Sequence, residues 1–300
     1  MFSGLLFYSL FLAALAASLS SLAAVGASVY LRAGPGRGLP LLALMGLAGT
    51  LSVGGEYAIP VVLLSVLLTY AVQRGWGFSR TVWMGFLALG LLSTAYWVAA
   101  FSVLGPLALA EARDFLQEMA RGLRQSPGAI GVSDIDAAGI SGQILALQAW
   151  VVAALPGFSI GEDILFVFSA AAILRLLKAA PWTPAEIVRW SVPLPCVWLA
   201  LLSGLGVVAL LGKWPVPVST ETLRIVSVSG LSMGLFWFLI QGFLTGWVAL
   251  RRWRLPRFMS LLLLLLTGRF LPLLGLVEVW AGFRERLLRP AAEEPGAPGA

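Results

Sequence analysis

Arg269 is the residue whose type and position most directly suggest chemistry, because it lies near the middle of an apolar stretch, residues 258–283. An arginine at the centre of a membrane-spanning helix costs about 2.5–3.5 kcal/mol. Pro272 cannot donate a backbone hydrogen bond, so the carbonyl of Gly268 loses its usual helical partner. Lipid satisfies neither group, so protein or water must surround this point. Two interpretations stay open: a group that binds an anion or a carboxylate in a cavity, and a structural ion pair with a neighbouring helix.

Three polar side chains in other apolar segments are candidates to line a substrate-binding site with Arg269. Glu162 and Asp163 follow Pro156 in an otherwise apolar run, and either of them could pair with Arg269. The alternative is that both acids lie at the membrane interface next to a kink. Gln241 lies midway along a later apolar segment. An amide is expensive in lipid, so we expect Gln241 to face other helices.

Glu278 is excluded as the partner of Arg269 by its position on the same predicted helix. The two residues are nine positions apart, and at about 100° per residue they lie on opposite faces. Glu278 is near the end of the helix beside Trp280. The sequence therefore predicts a solvated carboxylate there.

Composition defines the class of protein and excludes several kinds of chemistry. The 300 residues are 59% apolar and 11% charged, whereas soluble domains carry about 25% charged residues. The net charge of +6 arises from Lys and Arg in short loops beside apolar runs, as membrane topology requires, so we expect no nucleic-acid partner. Histidine is absent and Cys196 is the single cysteine. With no Walker-type loop or nucleophile elbow either, we expect no enzyme activity, no metal and no cofactor.

Apolar segments must position these residues, and the pattern predicts an all-α, polytopic helical membrane protein with about eight transmembrane segments. The segments are 5–31, 39–53, 57–73, 81–104, 143–178, 192–211, 223–250 and 258–283. Segments 39–53 and 57–73 are at the lower length limit for spanning, so they are two thin helices or a re-entrant pair. Alternate loops hold 11 Lys and Arg against eight on the other side, which predicts both termini outside.

Segments outside these runs complete a single helical membrane domain, residues 1–286. Residues 107–125 repeat apolar side chains at helical spacing with charges opposite, which predicts an amphipathic helix at the membrane surface or over the bundle. A Gly/Ser-rich loop is expected at 126–142 and a disordered polar tail at 287–300. Trp182 and Trp190 are expected to be interfacial anchors of the connector between two segments.

Two glycine pairs in the seventh segment predict close helix packing. They are Gly230-x-x-x-Gly234 and Gly242-x-x-x-Gly246, a spacing that lets helix backbones approach each other. The second pair is twelve positions on from the first, hence about 120° round the helix. The two pairs are therefore expected to contact different neighbours.

From the fifth segment onward the chain contains Gln241-Gly242 and the run Gly275-Leu276-Val277-Glu278-Val279-Trp280-Ala281-Gly282-Phe283-Arg284. In these features and their order it resembles the YybS-like family of predicted multi-pass bacterial membrane proteins (domain of unknown function 2232), with Glu278 in place of the family's usual Asp. The resemblance implies a plasma-membrane protein without assigned activity, distantly similar to substrate-binding subunits of energy-coupling-factor transporters. Those subunits meet a partner through an Ala-x-x-x-Ala face, for which Ala13/Ala17 and Ala23/Ala27 are the candidates here.

The function that follows is a solute-binding or transport-associated subunit of the bacterial cytoplasmic membrane that lacks its own energy source. Its expected partners are the lipid bilayer, other membrane subunits or a separate ATPase module, and a small-molecule ligand. Its site would lie between segments five, seven and eight, lined by Arg269 and one of Glu162 or Asp163. The alternative is a non-catalytic scaffold or assembly component of a cell-envelope complex.

Overall fold

A computed structural model describes most of the chain, and all regular structure within the described ranges is helical. The ranges are 20–32, 58–104, 107, 109–125, 134–215 and 217–288. The helices are α1 (20–32), α2 (Ala58–Gln73), α3 (Phe78–Leu104), α4 (Ala110–Gln125), α5 (Asp134–Leu176), α6 (Pro184–Val188), α7 (Leu194–Leu211), α8 (Thr220–Arg252), α9 (Arg257–Leu266), a 3-10 turn (Gly268–Phe270), α10 (Leu271–Ala281) and α11 (Phe283–Leu288). An apolar helix satisfies its backbone internally, which is the condition for entering a bilayer.

Four helical segments of the described chain are long and apolar enough to cross a membrane. They are α3, residues Leu147–Leu176 of α5, α7 and α8, and a fifth is reached if α9 and the bent continuation Gly268–Ala281 count as one. Helix α2 is apolar but shorter. The predicted segment 39–53 lies outside the described residues, as does most of segment 5–31. The structure thus supports four or five spans, and the predicted number of eight is not confirmed.

Helix α5 begins earlier than the sequence pattern suggested. The predicted Gly/Ser-rich loop 126–142 is wrong from Asp134 onward, because α5 starts there and continues through Pro156 to Leu176. The remainder of the predicted loop lies outside the described residues.

The chain divides into two compact units. The first comprises Met1–Gly90, Gly161–Val197 and Leu235–Ala300, and the second comprises Leu91–Ile160 and Trp198–Gly234. All four candidate binding residues belong to the first unit. The amphipathic helix α4 belongs to the second.

Aromatic side chains fill part of the core of the first unit. Trp83 stacks on Trp190 with ring centroids 5.4 Å apart, and Trp237 approaches Trp83 edge-on at 6.3 Å. Trp182 and Trp190 are 2% and 0% exposed, so their predicted role as interfacial anchors is wrong. The Trp182 indole N–H donates to the carbonyl of Trp76 at 2.7 Å. The two indoles are buried although most of the connector is exposed or half-buried, and the Trp190 indole nitrogen has no hydrogen-bond partner among the described residues.

Helix α1 is packed inside the first unit through small residues. Ala23 and Ala27 are both 0% exposed, and the hydroxyl of Ser65 on α2 donates to the carbonyl of Ala23 at 3.1 Å. The chain itself therefore covers the candidate contact Ala23/Ala27. The other candidate, Ala13/Ala17, lies outside the described residues.

Helix α4 is amphipathic as predicted and is fixed in the second unit by polar contacts. The Arg113 guanidinium lies 3.1 Å from a Glu221 carboxylate oxygen, and the amide of Gln148 donates to the carbonyl of Arg113 at 3.0 Å. On its other side, Phe115 and Met119 are 65% and 41% exposed. The helix thus keeps an uncovered apolar edge.

Candidate functional site

The predicted continuous helix over residues 258–283 is wrong, because the structure breaks it at its polar centre. Helix α9 ends at Leu266, a 3-10 turn covers Gly268–Phe270, and α10 begins at Leu271. The two helical pieces are bent by 68°. Glycine is a poor helix former, and Pro272 is favoured in the first turn of a new helix, where its missing N–H is not needed. Arg269 and Pro272, the two residues that made a continuous helix costly in lipid, therefore lie at the break or directly after it.

Arg269 lies in the 3-10 turn and its side chain is exposed. Its guanidinium lies 4.7 Å from the ring centroid of Phe270, a cation–π contact. Glu162 is half-buried in α5 and Asp163 is 9% exposed. None of the three ion pairs formed among the described residues joins Arg269 to Glu162. The structure places Arg269 at the break, where its guanidinium contacts the Phe270 ring.

Gln241 is buried in the protein, at 2% exposure. Its side-chain oxygen accepts a hydrogen bond from the backbone N–H of Val192 at 2.9 Å. Val192 precedes Pro193 in the non-helical connector before α7, so its amide has no helical acceptor. Gln241 thus supplies the acceptor that a buried, irregular backbone requires.

The backbones of α8 and α10 touch where two glycines meet. A Cβ on Gly242 would collide with the carbonyl of Leu271 and lie 3.0 Å from the amide of Gly275, and a Cβ on Gly275 would collide with the carbonyl of Phe238. One turn further along α8, a Cβ on Gly246 would lie 2.6 Å from a Leu264 methyl of α9. The second predicted glycine pair, Gly242 and Gly246, therefore lets the broken segment pack closely against α8.

The first glycine pair lies in the second unit. A Cβ on Gly230 would collide with the hydroxyl of Ser203 on α7, and Gly234 is buried. Gly230 therefore contacts a different helix from Gly242.

Glu278 and Arg284 form a buried charge pair, so the prediction of a solvated carboxylate is wrong. The side chains of Glu278 and Arg284 are 3% and 6% exposed, and the Glu278 Oε1–Arg284 Nε distance is 3.9 Å. The same oxygen accepts from the backbone N–H of Arg284 at 3.0 Å. Gly282, with φ of 57°, ends α10 in the left-handed conformation and turns the chain so that Arg284 folds back over the helix.

Each partner of this pair keeps one unsatisfied atom. Oε2 of Glu278 and Nη1 of Arg284 are buried and have no hydrogen-bond partner in the part of the chain that the structure describes. Burial lowers the pKa of Arg284, and the charges of Glu278 and Glu285 oppose that shift. The sequence signal for this pair was Gly282 directly after an apolar run, with an acid before it and a base after it.

Helix α11 ends beside the C-terminus of α8. The Arg252 Nη1 donates to the carbonyl of Leu287 at 2.6 Å. In the turn between α8 and α9, Arg251 donates to the carbonyl of Leu255 at 3.0 Å, and Arg254 has φ of 58°. Sequence reasoning missed this contact, because nothing local in the sequence links residue 252 to residue 287.

The break at Gly268–Phe270 presents groups that favour negative charge. Helix α10 begins two residues after Arg269, and its aligned peptide dipoles give that end a partial positive charge, although the N–H of Leu271 already donates to the carbonyl of Gly268 and Pro272 has no N–H. A guanidinium adds donors in a planar fork that matches carboxylate and phosphate. Among the described residues no group of three His, Cys, Asp or Glu could hold a metal ion.

The apolar helices together with these contacts define an integral membrane protein. Residues 3–282 match the DUF2232 family of predicted membrane proteins, and the chain belongs to this family. The match confirms that the chain is a member of the DUF2232 family of predicted membrane proteins, as its C-terminal residues suggested. No curated protein and no solved structure matches the chain.

Proposed function

We propose that this protein is a solute-binding or transport-associated subunit of the bacterial cytoplasmic membrane that has no energy source of its own. The observation that carries the proposal is the break in the last apolar stretch at Gly268–Phe270, with Arg269 in the turn. Transporters bind charged groups at the ends of discontinuous helices within the membrane. Irregular backbone at such depth persists where protein or water surrounds it.

In this proposal Arg269 is the principal ligand-binding group and the ligand carries an anionic group. The start of α10 adds its partial positive charge. Glu162, half-buried in α5, is retained with Asp163 as the acidic side of the site. Gln241 supports the site indirectly, because its side-chain oxygen holds the connector at Val192.

The proposal retains eight membrane segments and the distant similarity to substrate-binding subunits of energy-coupling-factor transporters. It assigns the protein no catalytic step. Energy would come from a separate ATPase module or from other membrane subunits that bind this chain.

The test is native mass spectrometry of the full-length protein, purified gently into lipid nanodiscs, with identification of co-purified small molecules and proteins. We expect an anionic small molecule in the wild type that is lost in Arg269→Ala and in Arg269→Lys, because an ammonium lacks the planar fork. Arg257→Ala is the matched control, since Arg257 is an exposed arginine at the start of α9.

Two results would contradict the proposed function. The first is a wild-type protein that carries no small molecule under these conditions. The second is an Arg269→Ala protein of reduced membrane abundance whose bound molecules are the same as those of Arg257→Ala.

A scaffold of a cell-envelope complex is the second candidate function, favoured by the uncovered edge of α4. Phe115 and Met119 lie one turn apart and are 65% and 41% exposed. For a scaffold we expect Phe115→Ser to reduce the recovery of co-purified membrane proteins. Arg269→Ala would then leave that recovery unchanged.

A further inference from the structure

We infer that residues 257–288 form a re-entrant hairpin, in which the chain enters and leaves the membrane at the same face. The last apolar stretch then dips into the bilayer without crossing it, so it remains one of the eight proposed membrane segments but is not one of the crossings. This inference goes beyond the proposed function, because it rests on backbone geometry and holds for a transport subunit and for a scaffold.

The contact between Arg252 and Leu287 is the first observation. A straight helix over residues 257–281 would be about 37 Å long at about 1.5 Å per residue, longer than the hydrocarbon core of about 30 Å. Helix α11 has only six residues, which cover about 9 Å. It could not bring the carbonyl of Leu287 to 2.6 Å from Arg252 Nη1 if α10 ended at the far face. The chain must therefore turn back between these two residues.

The position of the break is the second observation. The turn at Gly268–Phe270 bends the two helical pieces by 68°, and Leu271 lies against Gly242. Gly242 precedes Arg252 by ten residues on α8, so it lies about 15 Å further along that helix. That is about half of a 30 Å hydrocarbon core. Gly275 lies against Phe238, which is four residues further from Arg252 along α8. The chain therefore first bends at Gly268–Phe270 and returns only after Gly282, whose left-handed conformation ends α10.

The hairpin gathers basic residues at one membrane face. Residues 251–257 contain four arginines, and α11, which carries the exposed Arg286, is held beside Arg252 by the hydrogen bond to Leu287. The positive-inside rule assigns such a face to the cytoplasm. Leu288 then lies at the cytoplasmic face, which replaces the prediction of an outside C-terminus.

The test is accessibility to a membrane-impermeant maleimide of single cysteines in a Cys196→Ala background, which removes the lone cysteine. Trp253→Cys and Glu285→Cys report the two ends of the hairpin, at residues that are exposed. Val218→Cys, at a residue 51% exposed just before α8, reports the opposite end of that helix. Labelling is compared in intact cells and in inverted membrane vesicles, for variants matched in membrane abundance to the parent.

We expect residues 253 and 285 to react in inverted vesicles only and residue 218 to react in intact cells. Reaction of residues 253 and 285 from opposite sides overturns the hairpin. Failure of residue 285 to react from the side that labels residue 253 also overturns it, provided that residue 218 reacts from the other side. These outcomes are independent of whether Arg269 binds a ligand.

Discussion

Glu278 and Arg284 show, at the scale of single residues, how charges are kept within a largely apolar chain. Both side chains are almost fully buried, and the carboxylate also accepts the backbone N–H of Arg284. The Coulombic attraction at 3.9 Å offsets only part of the cost of removing both charges from water. Removing one partner is therefore expected to be more harmful than removing both.

The first prediction concerns this pair. Glu278→Leu should destabilise the protein by about 3–5 kcal/mol, because it leaves the Arg284 charge buried without a partner. The double variant Glu278→Leu/Arg284→Leu should recover part of that loss. Equilibrium unfolding in mixed detergent micelles measures both. A single variant as stable as the wild type, or a double variant less stable than the single, would show that the pair is not coupled.

Glu186 is a second charged residue with a defined structural role, and it lies outside the spans. Its carboxylate accepts from the backbone N–H and the hydroxyl of Thr183, both at 3.1 Å. The hydrogen bond from the backbone N–H of Thr183 is the main cause that lowers the pKa of Glu186. Burial opposes it, and the hydrogen bonds from the backbone N–H of Phe78 and from the Thr183 hydroxyl lower the pKa further. The ionised form therefore stabilises the start of α6 and its contact with α3.

The second prediction is the pH dependence of this contribution. Because the folded pKa of Glu186 is below the unfolded value of about 4.3, its stabilisation is present above that pH and is lost as pH falls through the folded pKa. The melting temperature of wild type should exceed that of Glu186→Gln at pH 7, and the difference should shrink in acid below about pH 4. A difference that is constant or grows on acidification would contradict this account.

At the scale of elements, the contact between α8 and α10 determines where the broken segment lies. Gly242 and Gly275 bring two backbones together with no side chain between them. Lipid tails are as apolar as the side chains, so no hydrophobic effect drives helices together in a bilayer. Close backbone packing of this kind is one of the interactions that do. The same segment has open space around Gly268, since a Cβ there would meet no atom within 4 Å.

The third prediction uses these two glycines. Gly242→Ala should cost about 1–3 kcal/mol or more, because its methyl group meets backbone that cannot move aside. Gly268→Ala, in the turn, should leave stability nearly unchanged. The melting temperatures and membrane abundance of the two variants provide the comparison. Equal losses in both, or no loss in Gly242→Ala, would show that the backbone contact does not determine the effect.

At the scale of the whole molecule, the sequence predicted what local pattern controls. Run length and hydropathy predicted an all-helical membrane protein, and apolar side chains at helical spacing with charges opposite predicted α4. Arg269 with Pro272 predicted a point that protein or water must surround, although not the break that the structure has there. The sequence pattern did not predict that Trp190 is buried, that Glu278 pairs with Arg284, or that Leu287 contacts Arg252. Each of those depends on a reversal of the chain or on contacts between distant segments, which no local periodicity encodes.

The distance between the two ends of the last segment tests the central claim most directly. Spin labels at Trp253→Cys and Glu285→Cys, in the Cys196→Ala protein in lipid bilayers, report it by double electron–electron resonance. The broken, returning segment predicts a separation below about 30 Å, the thickness of the hydrocarbon core. A separation of about 37 Å or more, the length of a straight helix over residues 257–281, would contradict it.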